Sequence, residues 1–109
     1  MSVKLIIAAA IMAATIGLTQ GGAAQAAQTI SISAQNFMFS PATITVKAGS
    51  TVTWVNHDEE PHTIFNDAGL FRSSALDTND SFSYTFDKPG TYHYVCTIHP
   101  RMTGTIIVE

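Results

Sequence analysis

The sequence predicts an all-β fold, a two-sheet sandwich of seven or eight short strands. Three observations carry this. Apolar residues recur at period two in runs of about five residues. Turn-forming residues separate the runs. No stretch beyond residue 26 sustains the helical period of about 3.6.

Residues 1–26 stand apart from that fold. Lys4 supplies a positive start, Leu5 to Leu18 is apolar apart from Thr15, and Ala24-Gln25-Ala26 places small residues where a signal peptidase cuts. The apolar run is short for a membrane span. A cleavable signal peptide over 1–26 is expected, leaving 27–109 as one exported domain.

Gln28 to Ser33 alternates, with Ile30 and Ile32 on one face. Asn36 to Ser40 carries Phe37 and Phe39 until Pro41 breaks the run. Thr43 to Lys47 pairs Ile44 with Val46, and Ala48-Gly49-Ser50 turns the chain. Thr51 to Asn56 sets Val52 and Trp54 on one side, and Thr63 to Phe65 reads as a short strand. Asn66-Asp67-Ala68-Gly69 is a turn. Phe71 and Leu76 are expected in the core, with a helical turn near Ser73 to Leu76. Ser81 to Phe86 spaces Phe82, Tyr84 and Phe86 at period two, and Asp87-Lys88-Pro89-Gly90 is a strong turn. Thr91 to Cys96 directs Tyr92, Tyr94 and Cys96 to one face, and Gly104 to Glu109 closes the fold with Ile106 and Val108 alternating against Ile107.

Beyond the leader, four basic residues (Lys47, Arg72, Lys88, Arg101) face eight acidic ones. That acidic balance argues against nucleic acid, and no basic amphipathic helix points to a membrane surface. Cys96 is the only cysteine, so no internal disulfide can staple the domain. The run from Asp87 to Cys96 is similar to the one before the second cysteine of immunoglobulin domains, but the first cysteine is missing. A lone thiol in an exported domain is a liability or a ligand; taken alone it reads as an inert core thiol, and the residues that follow it favour the ligand.

The stretch Cys96-Thr97-Ile98-His99-Pro100-Arg101-Met102 supports that reading. Thiolate and thioether are soft donors suited to copper(I), and imidazole suits copper in both oxidation states. Two histidines and a cysteine with a weak axial methionine make a blue-copper electron-transfer centre. The second histidine is expected to be His62, after Pro61, at a strand end that a sandwich can bring to the same pole. His57 lies in the acidic loop with Asp58, Glu59 and Glu60, expected to be solvated, and His93 alternates away from the Tyr94 face. These donors alone also admit zinc, which would carry no electrons.

The segments Val52-Thr53-Trp54-Val55-Asn56, Pro61-His62 and Gly90 through Gly104 together resemble the cupredoxins, small blue copper proteins that include plastocyanin, pseudoazurin and amicyanin. The Cys-x₂-His-x₂-Met spacing resembles the amicyanin type. The resemblance implies a Greek-key sandwich with one type 1 copper ion on His62, Cys96, His99 and Met102. It implies that Asn56 ties the His62 loop to Thr97, and that electrons leave by the edge of His99 within a patch including Pro61, Pro100 and Arg101. Arg101 departs from the pattern, because amicyanin-like loops carry an apolar residue there. It is free to recruit an acidic partner or to pair with the Asp58-Glu59-Glu60 loop.

The expected function is that of a monomeric periplasmic electron carrier, not an enzyme, meeting a protein donor and a protein acceptor in turn. The alternative is a periplasmic module that stores or delivers copper. Delivery proteins display several Met or His residues openly, whereas 27–109 holds only Met38 and Met102.

Overall fold

Period-two sequences cannot bury their apolar faces alone, and here two sheets bury them against each other. The computed structural model describes residues 27–109, and the expected signal peptide lies outside them. The strands are β1 (Thr29–Gln35), β2 (Met38–Ser40), β3 (Thr43–Val46), β4 (Ser50–Asn56), β5 (Phe65–Asn66), β6 (Ser81–Phe86), β7 (Gly90–Val95) and β8 (Thr103–Val108). One sheet has the order β2-β1-β4-β6 and the other β3-β8-β7-β5. β1 runs parallel to β4 and β3 parallel to β8, while the remaining pairs are antiparallel. The chain crosses between the sheets repeatedly, as a Greek-key sandwich requires. No helix occurs among the described residues.

β4 shows how alternation becomes packing. Ser50, Val52, Trp54 and Asn56 are buried, while Thr51, Thr53 and Val55 face outward. Thr51 and Thr53 share hydroxyl hydrogen bonds with Thr85 and Ser83 across the β4–β6 ladder, at 2.8 and 2.7 Å. Aromatic rings pack against one another within the core. Trp54 meets Tyr94 edge-on at 5.2 Å and stacks with Phe71 at 5.8 Å, and Phe71 packs on Tyr84 at 4.7 Å. Such pairs contribute about 0.5–1.5 kcal/mol each beyond the burial of their area. Gly104 lies opposite Tyr94 in the β7–β8 register, and a Cβ there would overlap the Tyr94 ring. The missing side chain is what lets that ring lie across β8.

Two local expectations change. Phe37 does not continue a strand: Asn36 and Phe37 both take left-handed backbone (φ 57° and 59°), and β2 begins only at Met38. Phe37 is 49% exposed. The helical turn at Ser73–Leu76 is absent too. That segment is bridged to the chain after His62, with the His62 N–H donating to Leu76 C=O at 3.1 Å and the Leu76 N–H to His62 C=O at 2.7 Å. The Ser73 N–H donates to Ile64 C=O at 2.8 Å, so its polar groups are satisfied across the gap rather than along a helix. Phe71 and Leu76 are buried, as expected.

Candidate metal centre

The centre grows from the β7–β8 connection. Tyr94 points into the core, so Cys96 two residues later points the same way and is fully buried. The loop then closes on itself. The Cys96 N–H donates to Met102 C=O at 3.0 Å, and the Met102 N–H donates to His99 C=O at 2.9 Å. Seven residues therefore turn about one point, with Met102 buried and His99 half-buried.

His62 reaches this loop from the other side. Its bridge to Leu76 fixes the backbone, and the residue is fully buried. Its Nδ1 lies 3.2 Å from His99 Nδ1. Cys96 Sγ is 3.9 Å from His62 Nδ1 and 3.8 Å from His99 Nδ1. At ordinary metal–nitrogen and metal–sulfur bond lengths, a tetrahedral site has edges of about 3.3 Å between nitrogens and about 3.6 Å between nitrogen and sulfur. The three donors thus already stand near the spacing that one first-row ion imposes. The set of thiolate, two imidazoles and a neighbouring thioether suits copper in both oxidation states. His57 and His93 are exposed and stay outside the cluster, with His93 Nδ1 on the Thr105 hydroxyl at 3.1 Å.

The shell around the donors differs from expectation. Asn56 does not reach Thr97. Its side chain donates to Glu60 C=O at 2.9 Å and to Leu76 C=O at 2.8 Å, and its Oδ1 accepts the Asp58 N–H at 2.8 Å. Asn56 thereby braces the loop before His62. The link to Thr97 is made by Thr63, whose Oγ1 accepts the Thr97 N–H at 2.8 Å and shares a hydrogen bond with the Thr97 hydroxyl at 2.8 Å. The Thr63 N–H also donates to Cys96 Sγ at 3.4 Å.

Asp58 was expected in solvent, yet its Oδ2 stands 2.8 Å from His62 Nε2 with the side chain only 12% exposed. The partner at Nε2 leaves Nδ1 as the free donor. Burial pushes the Asp58 carboxyl up, but the N–H groups of Phe37 and Asn36 and the His62 ring outweigh it and hold the group below its ordinary value. Cys96 behaves alike. Burial raises its pKa, but hydrogen bonds from the Thr63 N–H, His99 and His62 outweigh that and bring it down to about 6. The cluster favours the thiolate, the form that binds metal.

Outside the donors the surface is apolar. Phe37, Ile98, His99, Pro100, Arg101 and Met102 line one shallow depression, and Met38 extends it. Arg101 is exposed, and among the described residues it forms no salt bridge with the Asp58-Glu59-Glu60 loop.

A family model described as a cupredoxin-like domain matches residues 6–108. The chain belongs to the cupredoxin family. This cupredoxin is similar to amicyanin-alpha of Methylorubrum extorquens, 38% identical over 76 residues that cover 65% of this chain and 64% of that relative. It thus spans a little under two thirds of that relative's length. It is also similar to the plastocyanin of Scenedesmus fuscus, 41% identical over 66% of this chain and 87% of the relative. A solved structure of a methionine-to-alanine mutant of amicyanin, Cu(I), superposes with a TM-score of 0.71 at 31% identity, over 74% of this chain and 82% of that one. Among the described residues no helix is long and apolar enough to cross a membrane.

Proposed function

We propose that this cupredoxin is a small exported electron carrier with one type 1 copper ion held by His62, Cys96, His99 and Met102. The observation that carries the reading is the convergence of His62 Nδ1, His99 Nδ1 and Cys96 Sγ at 3.2–3.9 Å in a largely buried pocket. The bound ion would take up and release one electron as Cu(II)/Cu(I). The chain's part is to keep the donors still while that happens. Asp58 holds the His62 ring, Thr63 ties the two ligand segments, and the Cys96–Met102 backbone bonds close the loop. A site with so little freedom to rearrange suits a carrier that must react in both directions.

His99 is the exit, since of the two proposed donors that line the apolar depression it is the half-exposed one, whereas Met102 is buried. The partners are a protein donor and a protein acceptor that dock there briefly, each with an apolar face and with a carboxylate to meet Arg101. The carrier works as a monomer in the periplasm, after loss of residues 1–26. A copper-delivery role has weaker support, because Met102 is buried and Met38 alone stands exposed. An anaerobic redox titration tests the function. One electron per copper, taken up and returned reversibly with the metal retained, supports a carrier. Release of the metal on reduction would favour delivery.

A further inference from the structure

Asp58 serves two parts of the fold with one carboxylate. Its Oδ1 accepts the Asn36 N–H at 2.8 Å, and its Oδ2 accepts the Phe37 N–H at 3.0 Å while standing 2.8 Å from His62 Nε2. Its own backbone is held on both sides. The N–H donates to Asn56 Oδ1 at 2.8 Å, and the C=O accepts the Thr78 hydroxyl at 2.7 Å.

The Asn36–Phe37 turn is costly by itself. A left-handed backbone is uncommon for any side chain but glycine, and a bulky aromatic residue there is an outlier that surrounding structure must hold in place. Successive N–H groups in such a turn make a concave cradle for an anion, and the Asp58 carboxylate occupies it. The turn aims the Phe37 ring at the histidine pair. It meets His99 edge-on at 5.0 Å and 74°, and His62 at 5.6 Å and 84°. Half exposed, Phe37 is no ordinary core residue.

We propose that Asp58 is a positioning residue that couples the His62 ring to a Phe37 cover, so that one carboxylate sets both the donor strength of His62 and the screening of the two histidines from solvent. The inference rests on the copper reading for its effect on donor strength. The coupling itself belongs to the protein without metal. The negative acceptor at Nε2 makes His62 Nδ1 a stronger donor. The same charge keeps Phe37 against His99, where the ring shields the outer side of the cluster. A change at the turn should therefore be felt at the histidines, and a change at Asp58 should be felt at both.

The test compares Asp58→Asn and Phe37→Ala with the parent by NMR on the copper-free protein, then by Cu(II) titration. In Asp58→Asn, amide exchange at Asn36 and Phe37 should accelerate about tenfold or more, while Ile32 and Val52 keep their protection. The His99 ring signals should move toward their positions in Phe37→Ala. Cu(II) affinity should fall about 10–100-fold in Asp58→Asn and much less in Phe37→Ala. Unchanged exchange at Asn36 and Phe37 with unmoved His99 signals would overturn the proposal. So would changes that appear only together with lost protection at Ile32 and Val52, which would make Asp58 merely structural. If Asp58→Asn does not fold, the parent decides. A Phe37–His99 ring contact by nuclear Overhauser effect and a slowly exchanging His62 Nε2–H support the coupling, and their absence refutes it. Failure to bind copper would sink the carrier reading and leave the metal-free readouts intact.

Discussion

Replacing Thr63 by valine removes one oxygen and keeps the branched shape. That oxygen accepts the Thr97 N–H at 2.8 Å and shares a hydrogen bond with the Thr97 hydroxyl at 2.8 Å. It also approaches Cys96 Sγ at 3.8 Å. A neutral hydrogen bond contributes about 0.5–1.5 kcal/mol net, and Thr97 is exposed enough for water to replace part of the loss. The copper-free variant should therefore be less stable by about 1–2 kcal/mol, the sum of two such bonds at the lower end. In the copper-loaded protein the thiolate loses a donor, becomes more electron-rich and favours Cu(II), so the potential should fall. A weak O–H···S contact of about 0.5 kcal/mol corresponds to about 20 mV for a one-electron couple. Urea denaturation of the copper-free form, read at constant slope, and voltammetry of the loaded form measure both effects. A variant with the parent's denaturation midpoint and potential would show that the Thr63–Thr97 bridge does not hold the ligand segments together.

Other perturbations test other parts of the account. Gly104→Ala drives a Cβ into the Tyr94 ring and should cost about 1–3 kcal/mol, read as a lower denaturation midpoint, and an unchanged midpoint would refute the packing described here. In the copper-free protein, ultraviolet thiolate absorbance should titrate with a midpoint near pH 6 instead of 9. Because the folded-state pKa of Cys96 lies below its unfolded value, the stability it contributes is fully present above about pH 9 and is lost as pH falls through about 6. Cys96→Ser should flatten that window of the stability profile, and a profile unchanged by the substitution would contradict the shift. Arg101→Ala should slow reaction with an acidic redox partner and weaken its dependence on ionic strength, leaving the visible spectrum unaltered. Equal salt dependence in both forms would remove Arg101 from the docking surface.

Much of this fold was legible because burial on one face imposes period two. β4, β6 and β7 follow their alternation, and Trp54, Phe86 and Tyr94 are buried where it places them. Polar contacts between distant residues leave no such trace. Phe37-Met38-Phe39 alternates like a strand, and the left-handed turn before Met38 is held by Asp58, more than twenty residues away. Asp58 itself looked solvated because it stands in an acidic run with Glu59 and Glu60, and those two neighbours are indeed exposed. A carboxylate four residues before a buried histidine was the available signal, but without the fold nothing marks which of three adjacent acids turns inward. Thr63 was hidden for a related reason: its role depends on where Thr97 lies in space. The four proposed ligands were easier to find, since three of them fall within seven residues and bring distinctive donor chemistry.

The claim that Cys96 and its neighbouring histidines hold a redox-active copper is tested most directly by visible absorption of the folded domain titrated with Cu(II), alongside Cys96→Ala. The account predicts an intense thiolate-to-copper band that saturates at one equivalent, bleaches on reduction, returns on reoxidation and is missing from the variant. A weak band, identical with and without the Cys96 thiol, would contradict it.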